Sequence, residues 1–240
     1  MNVNNNLLRQ ATLAATLLVL CVNPAKAGTV NWTDWVSVSP GPIPGTVGLP
    51  YFVTVTGTVG ATTVTYTGDS VGVATTGSGF GPWTPQSTYQ SATVTNAPGI
   101  PDYIRVGEGG DAFTQTLTFS QPVTNPVLAI VSLGTPSSAT TQWTFDAPFS
   151  VLSSGVGAFG GGGPGSFAAL AGNVLQGKEG NGTIQFNGTY SALHWTATNS
   201  EHWTGFTVGV SSAPEPGTLG LLALGMVGGV VVRNWKGARS

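Results

Sequence analysis

Between residues 28 and 213 the apolar side chains recur at every second position in short runs, and no stretch carries a 3.6-residue period. Period two sends successive side chains to opposite faces of a strand, so this pattern excludes packed helices from the domain. Phe113-Thr-Gln-Thr-Leu-Thr-Phe119 sets Phe113, Gln115, Leu117 and Phe119 on one face and the threonines on the other. Residues 51–59, 62–67, 182–186 and 190–198 alternate in the same way. Residues 127–133 are apolar on both faces, as a central strand covered on two sides requires. Gly60, Pro122, Pro126, Pro148 and Asn187-Gly188 interrupt the runs at short intervals. The pattern predicts an all-β domain over residues 28–213: a single β-sandwich, jelly-roll-like, of about ten to twelve strands. Residues 39–45, rich in Pro and Gly, read as a loop, and 155–165 as a mobile loop or hairpin tip.

Both ends of the chain stand apart from this pattern. Residues 1–27 read as a secretory signal peptide, with Arg9, an apolar run over 11–22 and a cleavage site at Ala25-Lys26-Ala27. The only cysteine, Cys21, lies in that run, so the exported domain has no disulfide and relies on its core. Within 28–213 only Arg105 and Lys178 are basic, against eight acids, a formal charge of −6. A nucleic-acid partner needs a basic footprint, and none is present.

The other end combines three features. Pro214-Glu215-Pro216 breaks the last alternating run, an uncharged apolar segment follows over 217–232, and Arg233, Lys236 and Arg239 close the chain. As a helix, 217–232 extends ~24 Å, a short membrane span that snorkelling basic side chains can complete. The basic cluster would stay cytoplasmic and leave the β-domain outside. Residues 214–240 thus resemble the PEP-CTERM sorting signal. That resemblance implies recognition of Pro214, Glu215 and Pro216 by an exosortase-type membrane protease in a Gram-negative bacterium that makes extracellular polysaccharide. It further implies transient anchoring, removal of the tail, and a cell-surface or extracellular destination. Asn31-Trp-Thr-Asp-Trp35, 117–127, Ser132-Leu-Gly134 and 203–209 resemble a β-rich group found on other proteins with such a tail, and no activity comes with that likeness.

Chemistry-bearing motifs in the domain are few. Gly68-Asp-Ser-Val-Gly72 fits the nucleophile-elbow pattern around Ser70, but no helical segment follows to present the serine, so a turn between strands is expected. Gly155-Val-Gly-Ala-Phe-Gly160 matches a dinucleotide fingerprint and likewise lacks the helix that would hold a pyrophosphate. His194 falls on the polar face of its strand, and with His202 it forms no metal-ligand spacing. Asp102, Glu108 and Asp111 form an acidic, glycine-supported turn, expected to be solvated and a candidate for calcium. Trp32 and Trp35 should face opposite sides of a strand, and Trp143, Trp195 and Trp203 should pack in the core. Trp83, in Gly81-Pro-Trp-Thr-Pro85, is the expected exposed aromatic and the candidate glycan contact. With no paired-carboxylate motif or supported nucleophile, the expectation is a non-enzymatic surface or matrix protein associated with biofilm exopolysaccharide. A carbohydrate-binding module is the alternative, and a secreted hydrolase is disfavoured.

Overall fold

The computed structural model describes residues 28–40, 51–75, 79–99, 101–107, 113–136, 140–198 and 203–211. The leader, the sorting segment, Glu108, Asp111 and His202 lie outside the described residues. Fifteen strands are described, more than the ten to twelve expected: β1 (Val30–Trp32), β2 (Asp34–Pro40), β3 (Tyr51–Val59), β4 (Thr62–Ser70), β5 (Gly72–Ala74), β6 (Tyr103–Val106), β7 (Gln115–Thr124), β8 (Val127–Leu133), β9 (Thr141–Phe145), β10 (Phe149–Ser154), β11 (Phe167–Leu170), β12 (Val174–Gly177), β13 (Gly180–Phe186), β14 (Thr189–Thr198) and β15 (Thr204–Ser211). The surplus comes from three- and four-residue strands such as β1, β5, β11 and β12, too short to display a period.

The strands form two antiparallel sheets. One runs β10-β13-β8-β15-β6-β5, with β1 also on β15; the other runs β11-β12-β9-β14-β7-β4-β3-β2. Within them, β6-β15-β8-β13 faces β7-β14-β9-β12, which is the strand order of two interlocked Greek keys, a jelly roll. The β2–β4 meander widens the second sheet beyond β7, and β10 and β11, inserted between β9 and β12, extend one edge of each sheet.

Alternation holds where it was legible. On β7, Gln115, Leu117 and Phe119 are buried, while Thr116 is half-buried and Thr118 is exposed. Buried Gln115 is held by the Tyr66 hydroxyl, which donates to its Oε1 at 2.5 Å, by the Asp69 amide at 3.1 Å, and by the Asp69 carboxylate. Between the sheets, Trp143, Trp195 and Phe206 meet at centroid distances of 5.5–6.1 Å, two of the three pairs edge-on. Trp35 joins this core, its Nε1 donating to Thr207 Oγ1 at 3.2 Å, whereas Trp32 turns the other way and donates to the Asn96 carbonyl at 3.1 Å.

All seven residues of β8 are buried, because the first sheet is covered on both faces. Leu128 and Ile130 point between the sheets. Ala129 and Val131 point outward, under Trp83, Tyr89 and Ala97. Residues 79–99, with a short 3-10 helix at Gln86–Tyr89, therefore form a third layer. The parity of β8 then breaks: Leu133 returns to the inner core although it is odd-numbered. Ser132, at φ 58°, takes up the extra residue, and the register with β13 shifts between Gly180 and Gly182. This is a β-bulge, which re-aims the side chains at its site.

Candidate functional site

The bulge organises the most chemically loaded part of the described surface. Its missing ladder contact is replaced by Asn181, fully buried, whose Oδ1 accepts the Ser132 amide at 2.9 Å. The Asn181 side-chain amide donates to the Gly160 carbonyl at 3.0 Å and the Glu179 carbonyl at 2.9 Å. One side chain thus ties β8, the β12–β13 turn and the glycine-rich turn together. Glu179 sits at φ 55°, a conformation that costs a non-glycine residue about 1 kcal/mol or more and that its surroundings must impose. Its amide donates to the Gly134 carbonyl at 2.8 Å.

That backbone aims the Glu179 carboxyl inward: the residue is 7% exposed, and the Ser132 hydroxyl donates to its Oε1 at 2.6 Å. Burial holds its pKa above the ordinary carboxylate value, and the Ser132 hydrogen bond offsets this in part. Burial also pushes the Tyr89 phenol up, with the Glu179 charge adding to it, so Tyr89 stays neutral.

Glu179, Ser132, Thr135, Phe159 and Trp203 line a cleft of about 280 Å³. Phe159 stands edge-on to Trp203 at 4.7 Å and is half exposed. Phe80, equally exposed, lies against Phe159 at 5.4 Å, and Tyr103 against Trp203 at 6.0 Å. Phe80 and Tyr103 also line a neighbouring hollow of about 400 Å³ that includes Thr75 and the Arg105 side chain. Two hollows thus adjoin along one aromatic ridge.

Several sequence-derived candidates fall elsewhere. Trp83 is not the exposed aromatic; it is 3% exposed, packed edge-on against Tyr89 at 5.2 Å and Tyr103 at 6.3 Å. Its Gly/Pro surroundings form the cover of the first sheet, so the indole fills the space beneath that cover. Asp102 is buried rather than solvated, its Oδ1 lacks a hydrogen-bond partner, and burial, helped by the Asp34 charge, raises its pKa to about 6. Among the described residues no cluster of three His, Cys, Asp or Glu side chains could hold a metal ion. Ser70 ends β4 and β5 follows at once; its hydroxyl lies 2.8 Å from the Arg105 carbonyl and accepts the Gly72 amide at 3.0 Å. The Gly155–Gly160 stretch is a closed turn, with reciprocal hydrogen bonds between Gly157 and Gly160 at 2.8 and 3.1 Å. His194, half-buried on its strand as expected, shares a 3.0 Å hydrogen bond between Nδ1 and Thr116 Oγ1.

Residues 212–236 match the family model described as the PEP-CTERM protein-sorting motif. The chain carries a PEP-CTERM sorting signal. The match begins directly after β15, takes in Pro214, Glu215, Pro216 and Arg233, and ends at Lys236, short of Arg239. The PEP-CTERM motif marks an exported protein with a membrane-anchored sorting signal of Gram-negative type, and it implies processing by an exosortase, a membrane enzyme. No curated protein and no solved structure matches the chain. Among the described residues no helix is long and apolar enough to cross a membrane.

Proposed function

We propose that the chain is a non-enzymatic β-sandwich exported through the inner membrane and delivered to the cell surface or the extracellular matrix, where it associates with biofilm exopolysaccharide. The observation that carries this reading is the PEP-CTERM motif placed immediately after the last strand of the jelly roll. In this reading residues 217–232 hold the chain in the membrane as a helix, and Arg233, Lys236 and Arg239 keep its end cytoplasmic until an exosortase acts at Pro214-Glu215-Pro216. Engagement of the Ser70 hydroxyl by backbone groups argues against a hydrolase. Calcium at Asp102, Glu108 and Asp111 would require the buried Asp102 carboxyl to turn outward.

The test replaces Pro214, Glu215 and Pro216 together by alanine. The variant should remain in the inner membrane, while the unaltered chain is recovered from the outer surface or matrix. Identical fractionation of the two would reduce the segment to a simple anchor. The alternative reading, a carbohydrate-binding module, is favoured by the aromatic ridge beside Glu179 rather than by Trp83.

A further inference from the structure

We propose that the cleft formed by Phe159, Trp203, Glu179 and Ser132, together with the adjoining hollow at Phe80, Tyr103 and Arg105, binds a segment of neutral polysaccharide. This deepens the matrix-association reading above and rests on it. The chemistry of a pyranose ring sets three requirements. Its C–H faces stack on aromatic rings, its hydroxyls need acceptors and donors in fixed positions, and a chain of sugars needs more than one subsite.

Each requirement has a counterpart here. Phe80 and Phe159 are exposed at 52% and 49%, although large apolar side chains of this domain are otherwise mostly buried. Their neighbours hold them in place: Phe159 rests against Trp203, which rests against Tyr103. A stacking surface fixed in this way loses little conformational freedom when a ring settles on it. Glu179 supplies carboxyl oxygens at the wall of the first hollow, and its position is imposed by the bulge, the Gly134 carbonyl and the Ser132 hydroxyl. Arg105 supplies N–H donors in the second hollow. The aromatic ridge joins the two, so two consecutive sugars can be held at once.

Charge selects among glycans. Arg105 offsets Glu179 within the site, but the domain's formal charge of −6 opposes the approach of a polyuronate chain. A neutral glycan meets no such opposition. A single carboxyl, Glu179, lines the cleft among the described residues.

The test is affinity electrophoresis of the full chain, purified in detergent from cells lacking exosortase. The gels contain hydroxyethylcellulose, laminarin or galactomannan as neutral probes, and alginate as an anionic one. At least one neutral gel should retard the chain. Phe159→Ala and Trp203→Ala should each weaken that retardation about tenfold. Glu179→Gln, which keeps the shape and removes the charge, should weaken it less than either, and Leu170→Ala, exposed on β11, should leave it unchanged. Near-ultraviolet circular dichroism checks that each variant is folded; Phe159 is half exposed, so its removal disturbs little of the core. The proposal is overturned if no neutral gel retards the folded chain, if alginate alone does, or if Phe159→Ala and Trp203→Ala both bind as before. Failure here, with mature protein still recovered from the matrix, leaves the proposed function standing. Neutral-glycan binding by a chain that never leaves the inner membrane does the opposite.

Discussion

Asp102 shows most directly how one buried residue ties stability to conditions. In the unfolded chain its carboxyl titrates near its ordinary value of 3.8, and in the fold near about 6. Between those values the folded state binds more protons than the unfolded one. Its contribution is therefore favourable at low pH and is lost as pH rises from about 4 to about 6. Glu179 adds a fall of the same sign. Asp102→Asn should raise stability at pH 7 by roughly 2 kcal/mol and leave it unchanged near pH 4. Thermal melts of both proteins across that range would check this; equal melting temperatures at pH 7 would place the Asp102 carboxyl in water. Neither burial was legible in the sequence. Asp102 precedes an acidic, glycine-containing stretch, and Glu179 follows Lys178, a local pattern that normally marks a solvated turn. What buries them comes from elsewhere in the chain, and period and composition record nothing of it.

At the scale of elements, composition makes the glycine-rich stretch a mobile loop or a hairpin tip, and the structure contains a hairpin-like turn there. Its glycines are not equivalent. Gly161 has φ +78°, and a Cβ there would meet the Glu179 carbonyl oxygen at 1.9 Å. Gly163 has no atom within 4 Å of such a Cβ and no left-handed backbone. Gly161→Ala should destabilise the domain by about 2 kcal/mol or more, whereas Gly163→Ala should be neutral or stabilise by roughly half a kcal/mol. Urea denaturation of the two variants distinguishes them, and equal midpoints would show that the turn does not seat on Glu179. Sequence reasoning found the turn through its composition. It could not rank the glycines, because the atoms that Gly161 avoids lie on Glu179 and Asn181, some twenty residues away. The bulge at Ser132 was hidden for a related reason: residues 127–131 are apolar on both faces, so they set no parity against which a one-residue slip at Ser132 would show.

For the whole molecule, sorting is written in the motif at residues 212–236, and the folding problem lies in the strands before it. The mature protein recovered from its host should lack residues 1–27, begin at Gly28, and end close to Pro214-Glu215-Pro216. Intact-mass measurement decides this and detects any group added at the new end. A mass that retains residues 217–232 would oppose exosortase cleavage. The domain so delivered is held by two apolar layers, one between the sheets and one beneath residues 79–99. The second layer removed Trp83 from the surface and exposed a different aromatic set, Phe80 and Phe159 with the half-buried Trp203 beside them.

The sequence by itself determined the all-β class, the central position of residues 127–133, the shared face of Gln115, Leu117 and Phe119, and the sorting motif at the end. These are local properties: strand period, turn chemistry and a contiguous signal are all read within about ten to twenty-five residues. Tertiary structure alone decided the pairing of β6 with β15 and β8 with β13, the third layer over the first sheet, and the meeting of Phe80, Phe159, Glu179 and Trp203. Those contacts join residues up to about a hundred positions apart, and each side chain alone is an ordinary loop aromatic or a surface acid. Only the closing of one sheet over the other, and of residues 79–99 over the first, gives them a common wall.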